Sequence, residues 1–216
     1  MTVFVGSAPS GAGKTTLNRR LVGEYDHIVM SISHTTRSPR HHETDGVDYH
    51  FVNENSFNDI ARNDGFIEWA KVHGSFYGTS IAELKRIEKL GKSAILEIDV
   101  QGWTQAKRQI PEAKSIFIFP PSLKSLWSRL ESRGTDDTES RWLRFCNAYQ
   151  EIDQASEYDY FIVNRHLDEA YVKLKPIVVD GKPDEADKSL GTDCVSKLRK
   201  EFASSEWITE LRAKFE

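Results

Sequence analysis

The chain has 216 residues, 38% of them apolar and 29% charged, with 29 Lys and Arg against 33 Asp and Glu for a formal net charge of −4. That length predicts one domain with an apolar core and room for insertions, and the charge balance excludes a bulk basic footprint for nucleic acid, so any anionic ligand would have to be held by local arginine clusters. Cys146 and Cys194 lie far apart without metal-ligand spacing, and neither a signal peptide nor the ~20 apolar residues of a membrane helix can be found, so a reducing, cytoplasmic setting with no membrane contact is expected.

Val3-Phe4-Val5 predicts a short buried strand. The stretch Ala8-Pro9-Ser10-Gly11-Ala12-Gly13-Lys14-Thr15-Thr16 follows it and opens a helix through Leu17, Leu21 and Val22. Strand, Gly-rich turn and helix in that order form a phosphate-cradling loop. Gly11 and Gly13 let backbone N–H groups converge on phosphate oxygens, and the helix N-terminus adds partial positive charge. Lys14 would bridge the β- and γ-phosphates, and the Thr15 hydroxyl would ligate Mg²⁺. The motif asks for Gly at its first position, where Ala8 stands. The alternative reading is a Gly-rich turn that merely precedes a helix.

His27 to Ile32 predicts a second strand. The next segment, Ser33 to Tyr77, departs from the strand–helix rhythm and is rich in Arg, His and Tyr, as an inserted substrate-binding region would be. Arg37 and Arg40 stand three apart around Pro39, in extended or turn backbone. Two guanidinium forks so placed suit a phosphate monoester dianion, and nearby tyrosine hydroxyls can complete the site. Glu68 lies in the apolar run Gly65-Phe66-Ile67-Glu68-Trp69. A buried carboxylate needs donors, and guanine offers N1–H and its 2-amino group where adenine has no N1–H. The alternative for Glu68 is an exposed edge-strand carboxylate.

Ser80 with Glu83 reads as a capping box opening a helix over Ile81 to Leu90. Ala94 to Val100 and Ser115 to Phe119 are apolar runs with little alternation, as in a parallel sheet buried on both faces. Glu97 and Asp99 are two apart and share a strand face. Helices are predicted over Trp103 to Ile110, Leu123 to Arg133 and about Thr138 to Ser156, and a strand over Tyr160 to Val163. A linker is expected after Asp180, then a helix over about Ser205 to Phe215. The order predicts a doubly wound α/β sheet that binds ligands at the carboxyl ends of its strands.

Several motifs resemble one family in order and spacing. They are the phosphate loop, Ser33-His34-Thr35-Thr36-Arg37-Ser38-Pro39-Arg40, Asp48-Tyr49-His50-Phe51, Tyr77-Gly78-Thr79, Ile98-Asp99-Val100-Gln101-Gly102 and Pro120-Pro121-Ser122. Over roughly residues 3 to 178 the chain resembles guanylate kinase. The resemblance implies a P-loop-containing α/β fold, a parallel sheet flanked by helices, with a GMP-binding region at about 34–77 and a mobile lid at about 134–144. The core would then be 1–33, 78–133 and 145–180, and 181–216 an extension without a family counterpart.

It further implies phosphoryl transfer from ATP, with Mg²⁺, to GMP or dGMP, by a monomer or homodimer. Pro9 to Thr16, that is Pro9, Ser10, Gly11, Ala12, Gly13, Lys14, Thr15 and Thr16, would bind ATP. Arg37, Arg40, Tyr49 and Tyr77 would bind the GMP phosphate, and Ser33, Glu68, Thr79 and Glu97 would surround the guanine. Lys14, Arg37, Arg133 and Arg144 would carry the transfer, the last two closing on the ATP phosphates. Asp99 would approach Mg²⁺ through water, its alternative being a cap on the next helix. Asn164 would lie near the adenine, its alternative being a turn residue. His42, Glu97 and Arg165 depart from the family pattern, which leaves the sugar preference open. Two rival readings are a kinase of another nucleotide acceptor and a non-catalytic guanylate-kinase-like binding module.

Overall fold

The computed structural model describes residues 1–72, 74–132, 137–180 and 188–215. Its first strand, β1 (Val3–Ser7), is buried along its whole length. After it come α1 (Lys14–Glu24), β2 (Ile28–Met30), β3 (His34–Thr35), β4 (His50–Phe51), α2 (Glu54–Arg62), β5 (Phe66–Val72), β6 (Ser75–Ser80) and α3 (Ile81–Lys89). The chain continues through β7 (Ser93–Glu97), α4 (Val100–Gln109), β8 (Lys114–Phe119), α5 (Leu123–Glu131) and α6 (Thr138–Asp153). It ends with β9 (Tyr160–Val163), α7 (Leu167–Val178), α8 (Lys188–Ser204) and α9 (Glu206–Phe215).

The larger sheet has the order β2-β7-β1-β8-β9, and a smaller one the order β4-β3-β6-β5. In the larger sheet β2 pairs with β7 in parallel register, Ile28 beside Ser93, and β8 with β9, Ile116 beside Tyr160. Non-consecutive parallel neighbours require crossovers, so the expected α/β class with helices flanking a parallel sheet is what forms. Two compact units are distinguished, Met1–Val5 with Asn18–Lys114, and Gly6–Leu17 with Ser115–Glu216.

In the first unit, the departure from strand–helix rhythm resolves into an antiparallel β5–β6 pair with a register shift between Phe66 and Glu68. Phe57 of α2, fully buried, meets Phe66 at 4.5 Å and Phe76 at 5.3 Å between ring centroids. The Asn53 side chain starts α2 by accepting from Ser56 N. Gly78 has a steric cause: a Cβ there would lie 2.8 Å from Trp69 Cβ and 3.0 Å from Glu68 O.

The capping box is half realised. Ser80 Oγ accepts from Glu83 N at 3.2 Å, but the Glu83 carboxylate turns elsewhere, accepting from Ile32 N at 2.9 Å and from Arg86. The predicted strand through Val100 stops at Glu97, because Asp99 caps α4 by accepting from Gly102 N at 2.8 Å. Helix α4 therefore begins three residues before Trp103.

In the second unit, Phe117 and Phe119 lie in the core of the β8–β9 pair with Tyr158. Two helices of this unit, α7 and α8, escaped the sequence reading, as did α2 in the first unit. Helix α7 carries Pro176 within it. In α8, Gly191, Val195, Leu198 and Phe202 recur at helical spacing, and Gly191 is needed because a Cβ would run into the Phe161 ring. Glu201 of α8 accepts from Leu123 N at 3.0 Å and Lys124 N at 3.1 Å, at the start of α5. The rings of Trp127, Phe145, Phe202 and Trp207 join α5, α6, α8 and α9. The expected linker, 181–187, lies outside the described residues.

Candidate active site

The residues expected to bind the acceptor lie in the first unit, most of them on the small sheet and its flanks, with Glu97 at the end of β7. On β6, Tyr77 and Thr79 are two apart and share a strand face. Tyr77 stands opposite Thr35 of β3, and Thr79 opposite Glu68 of β5. One strand thus brings the Tyr77 and Thr79 hydroxyls to one surface. Arg37 Nε donates to Tyr77 Oη at 3.2 Å, and the guanidinium lies 5.5 Å from the Tyr49 ring centroid. Burial pushes the Tyr49 phenol above its ordinary pKa, with the Tyr77 and Glu97 neighbours adding to the shift. Arg40 is exposed, its side chain 66% accessible.

Glu68 is 5% exposed, so the exposed-edge alternative does not hold. Its Oε1 accepts from Thr79 N at 2.8 Å. Its Oε2 fits against Gly102, where a Cβ would come within 2.7 Å. Ser33 Oγ and Thr79 Oγ1 are 3.4 Å apart. Glu97 Oε2 accepts from Asn18 Nδ2 at 3.2 Å. Ser33, Glu68 and Thr79 are thus brought together, and Glu97 is held by Asn18, a buried residue that sequence reading passed over. Asp99 has one oxygen in the helix cap, as its alternative reading held. His41 and His42 are exposed.

The phosphate loop lies in the second unit. Gly11 and Gly13 both have φ of +92°, the left-handed region that favours glycine. Ala12 N donates to Pro9 O at 3.0 Å, tightening the turn. Ala8 is buried at the position where the motif asks for Gly. Lys14 and Thr15 open α1, so the loop presents the N–H groups of a helix N-terminus. Asn164 is 2% exposed and its Nδ2 donates to Ala12 O at 2.7 Å. The asparagine thus grips the loop itself.

Arg133 lies outside the described residues, as do 134–136 of the expected lid. Arg144 lies half-buried on α6. Two neighbouring arginines have structural partners: Arg129 Nη2 donates to Asn164 O at 2.8 Å, and Arg141 Nη1 to Glu131 Oε1 at 2.7 Å. Burial lowers the pKa of Arg129.

The guanylate kinase family model matches residues 1–180. The chain belongs to the guanylate kinase family. It is 46% identical over 177 residues to the guanylate kinase of Syntrophotalea carbinolica, covering 82% of this chain and 84% of that one. It is 44% identical over 176 residues to the guanylate kinase of Neisseria gonorrhoeae, covering 82% and 86%. The crystal structure of guanylate kinase from Anaplasma phagocytophilum superposes with a TM-score of 0.66 at 30% identity, covering 95% of this chain and 94% of that one. The guanylate kinase match ends at residue 180, so α8 and α9 lie beyond it. Among the described residues no helix is long and apolar enough to cross a membrane.

Sequence reading gave no role to three residues that contact the expected site residues: Glu43 on Arg37, Asn18 on Glu97, and Gly102, read only as the end of the motif at 98–102, against Glu68. Glu43 stands three residues after Arg40, a spacing that could have drawn notice. The Asn18 and Gly102 contacts have no local signal, because their partners are 79 and 34 residues away (97 − 18 and 102 − 68).

Proposed function

We propose that this chain transfers the γ-phosphoryl group of ATP to the phosphate of GMP, giving ADP and GDP, with dGMP as the alternative acceptor. The observation that carries the reading is the buried Glu68 carboxylate. A carboxylate accepts only, and guanine supplies the adjacent N1–H and 2-amino donors that adenine does not. Ser33, Thr79 and Glu97 complete the base side, while Arg37, Arg40, Tyr49 and Tyr77 hold the acceptor phosphate. Residues 34–77 form the acceptor region and 134–144 the lid, with 1–33, 78–133 and 145–180 as the core and 181–216 as an extension.

On the donor side, Pro9 to Thr16 cradle the ATP phosphates, and Lys14 places its charge between the β- and γ-phosphates. Arg133 and Arg144 stabilise charge on the transferring oxygens. Asn164 contributes by holding the loop, next to the adenine side. A phosphate dianion is already nucleophilic, so no protein base is required, and positioning with charge neutralisation suffices for in-line transfer.

The donor set fits Mg²⁺: the Thr15 hydroxyl would ligate it, and Asp99, whose Oδ1 accepts from Gly102 N, would act through water, all of them hard oxygen donors. When bound, Mg²⁺ neutralises charge on the β- and γ-phosphate oxygens. A reducing, cytoplasmic setting and a monomer or homodimer complete the reading.

ADP release with MgATP and a panel of GMP, dGMP, AMP, CMP, UMP and dTMP tests the reading. Turnover with GMP or dGMP alone, collapsing in Glu68→Gln and Lys14→Ala, is expected. Turnover that prefers another acceptor would remove the guanine assignment, and no turnover at all would leave a binding module.

A further inference from the structure

Glu43 stands outside the set of site residues derived from motifs, yet its carboxylate lies at the centre of the anion-binding turn. Oε1 accepts from Arg37 Nη2 at 2.8 Å, and Oε2 from Arg37 Nη1 at 2.9 Å. Oε2 also accepts from the backbone N of Arg40 at 2.8 Å, and Oε1 lies 4.0 Å from Arg40 Nη1. The turn closes on itself where Glu43 N donates to Arg40 O at 2.9 Å. Only 7% of the Glu43 side chain is accessible.

The grip fixes the guanidinium plane. Arg37 Nη1 also donates to Ser38 O at 2.7 Å, and Nε donates to Tyr77 Oη. These bonds occupy Nε–H, both Nη1 hydrogens and one on Nη2, leaving the second Nη2 hydrogen for an incoming anion. Tyr49 and Phe51 flank the plane at 5.5 and 5.8 Å. A long side chain that would otherwise sample many rotamers is therefore set in one orientation before substrate arrives. The same carboxylate anchors the Arg40 backbone, from which an exposed side chain can reach the same anion.

We propose that Glu43 is a positioning residue for the acceptor phosphate, holding the Arg37 fork and the Arg40 backbone in the geometry that a phosphate monoester requires. It acts through the two arginines and does not touch the substrate. The inference rests on the GMP kinase reading given above. The opposite role is chemically well defined: a carboxylate on the fork would compete with phosphate, and its removal would then tighten acceptor binding. The geometry favours positioning, because the carboxylate also holds backbone that an intruding anion would have no cause to engage.

Steady-state kinetics of the wild type, E43Q and E43D, with GMP and ATP varied in turn and guanosine as inhibitor, test this. E43Q is expected to raise KM for GMP on the order of 10-fold, since small misplacements of positioning groups carry losses of that size or more. KM for ATP should be unchanged, and so should inhibition by guanosine, which lacks the phosphate. E43D, one methylene shorter with both oxygens kept, should fall between E43Q and the wild type.

An unchanged or lowered KM for GMP in E43Q overturns the proposal, as does an equal loss for guanosine and GMP. Should E43Q melt below the assay temperature, E43D decides: a raised KM for GMP with unchanged guanosine inhibition supports the proposal, and an unchanged KM overturns it. A wild type that does not phosphorylate GMP overturns both this inference and the reading beneath it, whereas an active wild type with an unaltered E43Q overturns this inference alone.

Discussion

The side-chain amide of Asn164 donates to the backbone carbonyl of Ala12 over 2.7 Å, tying the end of β9 to the middle of the phosphate loop. Arg129 fixes the other side of that residue by donating to its carbonyl. A Cβ on Gly13 would lie 2.5 Å from Asn164 Nδ2, so the loop glycine and the asparagine are fitted to each other. Asn164→Ala leaves a buried carbonyl without its donor, a loss of about 1–3 kcal/mol. The expected outcome is a KM for ATP raised about 10-fold with KM for GMP little changed, and Asn164→Asp, which sets a carboxylate against a carbonyl, should be worse. Rates measured against ATP concentration check both.

Gly102 makes room for the base-side carboxylate. An added Cβ would meet Glu68 Oε2 at 2.7 Å and Ile98 Cβ at 3.2 Å. Alanine is favoured over glycine inside a helix by ~1 kcal/mol, so Gly102→Ala need not lower the melting temperature. It should raise KM for GMP by on the order of 10-fold by displacing Glu68. Melting and GMP kinetics on the same variant separate the two effects, and unaltered GMP kinetics would count against the placement of Glu68.

Glu201 caps α5 from the segment beyond the family match. Glu201→Ala removes the acceptor for two N–H groups at the helix start, where the Ser122 side chain accepts from Ser125 N. A loss of about 1 kcal/mol is expected, or roughly 2–4 °C in melting temperature for a chain of this size. Thermal unfolding by circular dichroism would show it, and no shift would mean that water replaces the carboxylate at no cost.

Acid should weaken the acceptor turn in a defined window. The Arg37 guanidinium holds the Glu43 carboxyl at a pKa of about 2, below its ordinary value of 4.5. The folded pKa is depressed, so this contribution is present above the unfolded value and is lost as pH falls toward about 2. The stability difference between wild type and E43Q should therefore be constant above about pH 5 and shrink below it. His34 adds an earlier loss: burial, with His50 beside it, holds its pKa below 6.5, so the unfolded chain takes the proton first as pH falls through that value. Melting curves collected from pH 8 to pH 3 would resolve both steps.

The phosphate loop, the five strands of the parallel sheet, the Arg37 and Tyr77 motifs and the family were all legible in the sequence, because each is encoded by residues a few positions apart. Strand periodicity, a glycine pair before a helix and an Arg-x-x-Arg turn are local patterns, and local backbone sterics and hydrogen bonding enforce them. Helix α8 also had its spacing, at Gly191, Val195, Leu198 and Phe202, but polar residues between them obscured it. What only the tertiary structure decided is which polar group answers which. Asp99 commits one oxygen to the α4 cap, Glu68 is buried against Gly102, Asn164 turns to Ala12, and Glu43 takes the Arg37 fork. A carboxylate or amide can satisfy its bonding in many ways along a chain, and only packing brings one partner close and removes water from the rest.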